Sequence, residues 1–288
     1  MAAKKSWSPV QVRIQKSNSK KRLYSDRCNR GLIPLRARNG RALTSPLLSI
    51  IIPAYNEETR LPGTLETIQG FLSQQNYSAE VLVVENGSSD RTLEIAQNFA
   101  SRNPAIRALH EDQRGKGRAV RTGMLAAQGK YRFFGDADLS MPISEINRFL
   151  PPQVPDPQVV IASREVPGAV RYGEPEMRHL SGRIFNTLVR WIALPGLQDT
   201  QCGFKLFRDD AAETVFRRQT IFGWTFDVEV LYIARLHGYT ITEIGVPWYY
   251  NADSKVRMAQ DAWVMFQDLV RIRRNARRGV YDAAPAKG

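Results

Sequence analysis

Short apolar runs recur along the middle of the chain, and each one ends near a proline, glycine or polar turn residue. The runs lie at residues 47–52, 80–84, 106–109, 131–135 and 159–162. Runs of this length with such boundaries predict buried β-strands. Between them, residues 59–72, 90–99 and 115–128 carry apolar side chains at helical spacing, which predicts three amphipathic helices.

Strands that alternate with helices predict an α/β fold with a single, mostly parallel, twisted sheet flanked by helices. Ligands of such sheets bind beyond the carboxyl ends of the strands. This rule places four polar segments along one edge, at residues 55–57, 85–86, 115–116 and 136–138. Residues 165–255 have a less regular pattern, and we assign them to the second half of the same domain.

The formal net charge of +13 is concentrated at the two ends of the chain. Residues 1–46 carry +11, residues 47–254 carry −3 and residues 255–288 carry +5. We therefore predict a basic, mostly disordered tail over 1–46, a globular body over 47–257, and a basic amphipathic helix with a tail over 258–288. Basic ends favour an anionic partner, either lipid headgroups or nucleic acid.

Several classes of protein are disfavoured by what the chain lacks. It has no apolar run of about 18 residues that could span a bilayer, and its start has no apolar signal region. Two cysteines do not make a disulfide framework and fit a reducing compartment. The Walker A, dinucleotide-binding and G-x-S-x-G patterns are all missing. The expected location is cytoplasmic, peripheral at the cytoplasmic face of a membrane.

The segment Asp136-Ala137-Asp138 follows a predicted buried strand and is the main candidate for chemistry. Two neighbouring carboxylates require a cation, or one of them must be protonated. Mg²⁺ or Mn²⁺ is commonly held by one or two carboxylates together with substrate phosphates. Lys116, between two glycines at a predicted helix start, is a candidate phosphate ligand.

A group of arginines marks a second candidate anion site. Its members are Arg164, Arg171, Arg178 and Arg183. The guanidinium group matches the geometry of phosphate, so these residues predict a second phosphate close to the metal site.

Nine short segments carry further motifs: 49–57, 84–90, 115–117, 135–140, 163–164, 178–186, 199–207, 224–229 and 246–248. In this order and spacing they resemble the GT-A fold glycosyltransferases of family 2. Within that family they are most similar to the branch that makes dolichyl- or polyprenyl-phosphate glucose. Segment 199–207 is the most specific for this branch, and the resemblance covers roughly residues 47–257.

The resemblance implies roles for matching residues on the donor side. The base and ribose pocket would be lined by Pro53, Tyr55 and Glu57. Asn86 stands where many relatives have an aspartate that contacts uracil, and an amide can also bond uracil. The nucleotide would be held by Lys116 and Asp136, and the metal by Asp138 with Asp136 beside it.

On the acceptor side, the resemblance implies that Arg164, Arg178 and Ser181 bind a phosphate. The implied reaction transfers a sugar, glucose by resemblance, from a UDP-sugar to polyprenyl or dolichyl phosphate with inversion. A phosphate acceptor is largely ionised at neutral pH, so it needs no strong general base. Two alternatives stay open: a hydroxyl acceptor, with Asp199 or Asp227 as the base, and GDP-mannose as the donor.

The basic ends fit an acceptor that resides in a membrane. Residues 258–278 are predicted to form an amphipathic helix that lies in the membrane interface, and residues 184–197 are a second candidate. A nucleic-acid-binding protein that uses residues 1–46 is the alternative from another class. The body contains no recognised nucleic-acid module, so the sequence disfavours that interpretation.

Overall fold

The computed structural model describes residues 45–251 and 258–282, without the side chains of 177, 178, 180, 181 and 258–262. The predicted basic tail, residues 1–46, lies outside the described residues apart from its last two positions. The same holds for the part of the predicted C-terminal tail that follows residue 282.

Nine strands are found in the described residues. They are β1 (Leu48–Ala54), β2 (Ala79–Glu85), β3 (Ile106–His110), β4 (Tyr131–Phe134), β5 (Val159–Ser163), β6 (Val170–Tyr172), β7 (Lys205–Arg208), β8 (Ile241–Gly245) and β9 (Pro247–Tyr249). The five predicted strands correspond to β1–β5, with ends that differ by no more than two residues. The four later strands lie in the stretch whose apolar pattern is irregular.

Seven α-helices connect or flank these strands. They are α1 (Leu61–Leu72), α2 (Thr92–Arg102), α3 (Lys116–Ala126), α4 (Glu176–Ile192), α5 (Asp209–Phe216), α6 (Phe226–Leu236) and α7 (Met258–Arg277). A 3₁₀ helix spans Ile143–Phe149. The three helices predicted in the first half correspond to α1–α3, and the predicted C-terminal helix corresponds to α7.

Seven of the strands form one sheet in the order β3-β2-β1-β4-β7-β5-β8. Within this sheet only β7 is antiparallel to its neighbours. Because β1 pairs with β2 on one side and β4 on the other, the chain order reverses at β1. Ligands of open α/β sheets bind in the crevice at such a reversal, beyond the carboxyl ends of the strands.

Each face of the sheet is covered by its own hydrophobic core. One core joins Ile51 and Phe134 to residues of α3, α5, α6 and α7. The other joins Ile50 and Phe133 to residues of α1, α2 and the 3₁₀ helix. A strand that is buried on both faces is apolar at nearly every position, which explains why these strands are visible in the sequence as apolar runs.

Helix α7 belongs to the first core through part of its surface. Leu269 and Ile272 are fully buried, and so is Tyr281 in the turn that follows the helix. The Tyr281 hydroxyl donates a hydrogen bond to Glu229 Oε1 of α6 at 2.8 Å. Of the described helices, none is long and apolar enough to cross a membrane.

Candidate active site

A cavity of about 520 Å³ opens at the carboxyl ends of β1, β2 and β4. Ten of the residues predicted for the site line it: Pro53, Tyr55, Glu57, Asn86, Lys116, Asp136, Asp138, Arg164, Arg171 and Asp227. They are spread along the chain from β1 to α6, so the fold brings them together. Asp199 lies behind the wall of the cavity, and the side chains of Arg178 and Ser181 lie outside the described residues.

The acid pair sits on a sharp turn directly after β4. Leu139 adopts φ +45°, a conformation that side-chain-bearing residues seldom occupy, and its N–H donates to Asp136 O at 3.2 Å. Ala137 between the acids is buried, and its carbonyl accepts a hydrogen bond from Thr64 Oγ1 at 2.5 Å. Both carboxylates line the cavity, and the buried Ala137 between them contributes to the same lining.

Lys116, the first residue of α3, forms an ion pair with Asp136 at 2.5 Å between Nζ and Oδ1. Burial disfavours the charged lysine, but Asp136, Asp227 and Asp138 outweigh it and raise the pKa of Lys116. The backbone N–H of Gly117 donates to Phe222 O at 3.0 Å, so this amide is engaged within the protein. What this helix start offers to an anion in the cavity is therefore the side-chain charge of Lys116, and not the N–H group of Gly117.

A loop-to-loop hydrogen-bond network holds the segment that follows β1. Asn56 adopts φ +49°, its N–H donates to Ser88 Oγ at 3.0 Å, and its side-chain oxygen accepts from Ser89 N at 2.9 Å. Glu57 N–H donates to Thr92 Oγ1 at 2.8 Å. These contacts tie the loops after β1 and β2 together, which fixes the wall that contains Tyr55 and Glu57.

Asn86 has an unused hydrogen-bonding atom in this wall. The residue is 4% exposed, and its Oδ1 finds no hydrogen-bond partner among the described residues. A buried polar atom without a partner is costly in a folded protein, which points to a ligand that completes it.

Arg114 also lines the cavity, although it belongs to none of the motifs that predict the site. Its guanidinium carbon lies 4.2 Å from the centre of the Tyr55 ring. Its one signal in the sequence is its place directly before the Gly115-Lys116-Gly117 segment, which is too weak to select one arginine among many.

Arg164 also lines the cavity, and Asp199 holds it in place. The carboxylate accepts from Arg164 Nε at 2.7 Å, from Nη2 at 3.0 Å and from the backbone N–H at 3.0 Å. Burial alone would raise the pKa of Asp199, but Arg164 outweighs it and holds that pKa well below its usual range. Arg164 also lies over the Trp248 ring, 5.3 Å from its centre.

Arg171, from β6, lines the same cavity and is held by two carboxylates. It pairs with Glu165 at 2.6 Å and also with Glu174. Both arginines therefore reach the cavity as members of ion pairs. Arg183, by contrast, is exposed and does not line the cavity.

Comparison with known families identifies the chain. The family model described as "Glycosyl transferase family 2" matches residues 49–216, which extend from β1 to the end of α5. This chain belongs to glycosyl transferase family 2. The family predicted from the motifs is thereby confirmed.

Curated relatives of this family 2 chain include several dolichyl-phosphate beta-glucosyltransferases. The one from Dictyostelium discoideum is 33% identical over 254 residues, which cover 83% of this chain and 78% of the relative. The one from Homo sapiens is 33% identical over 246 residues, 78% of this chain and 74% of the relative. The branch predicted from segment 199–207 agrees with these matches.

The fold has solved counterparts. Glucosyl-3-phosphoglycerate synthase from Mycobacterium tuberculosis, in a complex with Mn²⁺, UDP-glucose and phosphoglyceric acid, superimposes with a TM-score of 0.56 at 17% identity. The match covers 81% of this chain and 80% of that one. Together with the seven-stranded sheet, it confirms the predicted GT-A class of fold.

Gly203 lies against the carboxylate of Asp136 in this family 2 site. A Cβ added to Gly203 would lie 2.1 Å from Asp136 Oδ2, so Asp136 would have to move. We expect Gly203→Ala to lower kcat/KM for the donor by about 10- to 100-fold, because small displacements of reacting groups have effects of this size. Steady-state kinetics with circular dichroism measures both the activity and the fold.

Gly70→Ala is the matched control for this prediction. Gly70 lies on α1, and a Cβ there meets no atom within 4 Å. If Gly203→Ala retained full donor kcat/KM, the carboxylate of Asp136 would not need its observed position.

Proposed function

We propose that this chain transfers glucose from UDP-glucose to the phosphate of a polyprenyl or dolichyl lipid, with inversion at the anomeric carbon. One observation carries the proposal: a single cavity is lined both by an acid pair with Lys116 and by two ion-paired arginines. Two anion sites in one cavity suit a sugar diphosphate and a second phosphate. The dolichyl-phosphate beta-glucosyltransferases among the relatives support the same assignment.

The donor side follows from the wall that contains Tyr55. We assign Pro53, Tyr55 and Glu57 to the base and ribose. The side-chain oxygen of Asn86, which has no partner among the described residues, would accept a hydrogen bond from the edge of the nucleobase. Uracil presents both donors and acceptors, so an asparagine is able to bind it. Lys116 would then meet the diphosphate at the start of α3, where the helix dipole also favours negative charge.

A divalent cation fits the acid pair if the substrate completes its coordination. Among the described residues, no cluster of three or more histidine, cysteine, aspartate or glutamate side chains is arranged to hold a metal alone. Mg²⁺ sites commonly use one or two carboxylates plus substrate phosphates. We assign Asp138 and Asp136 to this role, where Mg²⁺ or Mn²⁺ would neutralise charge on the departing diphosphate.

The acceptor phosphate is assigned to Arg164, with Arg178 and Ser181 of α4 as further ligands. Position 178 precedes Gly182 by about one helical turn, and Gly182 lines the cavity. An ionised phosphate oxygen would attack the anomeric carbon from the side opposite UDP. The bond from that carbon to the diphosphate oxygen breaks, and its electron pair leaves with UDP.

This reaction removes the need for a general base. Both oxygens of Asp199 bind Arg164, and its low pKa makes it a weak proton acceptor. We therefore propose that Asp199 positions Arg164. Asp227 lines the cavity, and it is the group that would serve as a base if the acceptor were a hydroxyl.

A substrate panel tests the proposed function. UDP-glucose, UDP-N-acetylglucosamine and GDP-mannose are each incubated with polyprenyl phosphate, or with polyprenol, and with Mn²⁺ or Mg²⁺. Of these combinations, we expect a glucosyl lipid only where UDP-glucose is incubated with polyprenyl phosphate. A product from polyprenol would favour the hydroxyl-acceptor alternative, and a product from GDP-mannose would overturn the donor assignment.

We also propose that helices α4 and α7 hold the protein peripherally on an anionic membrane. Trp191 of α4 is 87% exposed, and Trp263 of α7 is 65% exposed and stacks on Phe266. Arg273 of α7 donates to Ile192 O of α4 at 3.0 Å, so the two helices are neighbours. Exposed aromatic side chains close to cationic ones are typical of interfacial helices. In this chain the aromatic residues of α7 are followed by four arginines, Arg271, Arg274, Arg277 and Arg278.

Trp191→Ala/Trp263→Ala is expected to lower binding to vesicles that contain anionic lipid by about tenfold, because two apolar side chains no longer enter the interface. Co-sedimentation with sucrose-loaded vesicles measures the bound fraction. Leu236→Ala, which removes an exposed apolar side chain from α6, is the control. Unchanged binding of the double variant would contradict the proposed surface. Deleting α7 is a poorer test, because its buried residues belong to the core.

A further inference from the structure

A fully buried lysine lies beneath the floor of the cavity. Lys205 is the first residue of β7, and its side chain is 0% exposed. Its Nζ donates to Asp227 Oδ1 at 2.6 Å and to Cys202 O at 2.6 Å. A buried ammonium group is very costly unless it is paired, so this position depends on Asp227.

Asp227 has one oxygen to spare. Oδ1 accepts from Lys205, whereas Oδ2 accepts no hydrogen bond from the described residues. The residue is 4% exposed and yet lines the cavity, so its remaining accessible surface faces the place where substrate would lie. Asp227 stands in the first turn of α6, where the helix dipole stabilises a carboxylate.

The surroundings of Asp227 suit a sugar. Asp227 lines the cavity together with the Lys116–Asp136 ion pair, which belongs to the part of the site that would hold the diphosphate. Trp224 lines the same cavity, with its ring centre 5.7 Å from Lys116 Nζ. An aromatic ring offers a surface for the C–H face of a sugar, and a carboxylate accepts hydrogen bonds from hydroxyl groups.

We propose that Asp227 reads the hydroxyl groups of the donor sugar, and that Lys205 is the positioning residue that keeps one Asp227 oxygen turned into the cavity. The inference rests on the proposed function for the presence of a sugar diphosphate in this cavity. It gives Asp227 a binding role, in place of the role of base that the sequence left open. A site built to bond a hydroxyl rejects a ligand that lacks it, because its polar group is then left unpaired.

The test compares UDP with UDP-glucose, since only the second ligand has a sugar. Calorimetry with Mn²⁺ and without an acceptor gives both dissociation constants. We expect Asp227→Asn to weaken UDP-glucose binding by about tenfold and UDP binding by less than about twofold. Lys205→Met is expected to show the same sugar-dependent loss, and Lys205→Arg, which keeps the charge, should recover most of the affinity.

Folding is controlled by the double variant Lys205→Met/Asp227→Asn. Each single change leaves a buried partner alone, whereas the double variant leaves neither charge buried and should stay near wild-type stability. It is expected to retain the sugar-dependent loss. Arg208→Met/Asp156→Asn removes an ion pair of 2.6 Å from the same strand, outside the cavity, and should bind both ligands as the wild type does.

Equal weakening of UDP and UDP-glucose, or no weakening of either, would overturn the inference. These outcomes differ from a failure of the proposed function. A wild-type protein that binds UDP-glucose but transfers nothing to polyprenyl phosphate refutes the proposed acceptor and leaves the reading of the sugar intact.

Discussion

Asp138→Ala is expected to reduce transfer from UDP-glucose by at least about 10³-fold. Asp138 lines the cavity next to Asp136, and its only hydrogen bond within the described residues is accepted from Ser140 N at 3.0 Å. The fold therefore depends little on this carboxylate, while the proposed cation depends on it. Loss of one preorganised electrostatic contact typically costs about 10²- to 10³-fold in rate, and loss of a metal costs more.

The measurement is a single-turnover assay with radiolabelled donor, with urea unfolding as the check on stability. Asp156→Ala is the matched control, because Asp156 is an exposed aspartate that does not line the cavity. The wild type is also assayed with excess EDTA and after Mn²⁺ is restored. Full activity of Asp138→Ala in the presence of EDTA would remove both the metal and the residue from the mechanism.

The backbone at the acid pair is held by contacts from other parts of the fold. Leu139 is held at φ +45°, which is unfavourable for a leucine and is maintained by the surrounding contacts. Ala137 is anchored through Thr64 of α1, and Gly203, two residues before β7, packs against Asp136. The turn itself, helix α1 and the segment before β7 thus determine where the two carboxylates lie, and a D-x-D pattern alone does not reveal these contacts.

The first half of the fold is predictable because its strands are buried on both faces. β1, β2 and β4 are largely apolar runs, and a candidate site residue follows within two positions of the end of each. The parallel order of these strands is enough to predict that Tyr55, Asn86 and Asp136 lie at one edge of the sheet. Local pattern and global fold agree in this region.

The second half is less predictable for physical reasons. β7 is antiparallel to both of its neighbours. It is only four residues long and begins with the charged Lys205, so it has no apolar run that the sequence would show. β6 and β9 form a separate pair in which Tyr172 and Tyr249 stack on an exposed face. Elements of this kind are stabilised by tertiary contacts, and local sequence patterns do not record them.

The same limit applies to charges. The arginines and the acids are visible in the sequence, but their pairing is not. Arg164 and Asp199 are separated by 35 positions, and Lys205 and Asp227 by 22. As a result, the sequence offers both Asp199 and Asp227 as candidate bases, whereas Asp199 is paired with the largely buried Arg164 and Asp227 with the fully buried Lys205.

Asp199→Ala is expected to lower the free energy of unfolding by about 3–5 kcal/mol. The side chain of Asp199 is 0% exposed and that of Arg164 is 19% exposed, so the change leaves a largely buried guanidinium group without its counter-charge. The hydrogen bonds that Glu243 accepts from the backbone N–H groups of Gln198 and Asp199 do not involve the Asp199 side chain, so the substitution leaves them in place. Urea unfolding followed by tryptophan fluorescence measures the change.

The double variant Arg164→Met/Asp199→Leu separates stability from function. Replacing a buried ion pair by apolar side chains is often neutral for stability, so we expect recovery to within about 1–2 kcal/mol of the wild type. Transfer to polyprenyl phosphate should nevertheless stay low, because the proposed acceptor ligand is gone. A double variant with wild-type stability and wild-type KM for polyprenyl phosphate would show that the pair is structural only.

The pH dependence of stability provides an independent measure of the same pair. The pKa of Asp199 is lowered in the folded protein, so its contribution is complete above the unfolded value of about 4 and is lost as the pH falls below it. The Arg164→Met/Asp199→Leu variant lacks this carboxylate and should lose less stability than the wild type between about pH 4 and pH 2. Equal acid sensitivity of the two proteins would mean that Arg164 does not depress the pKa of Asp199. Arg164 would then be held at the cavity by contacts other than its pair with Asp199.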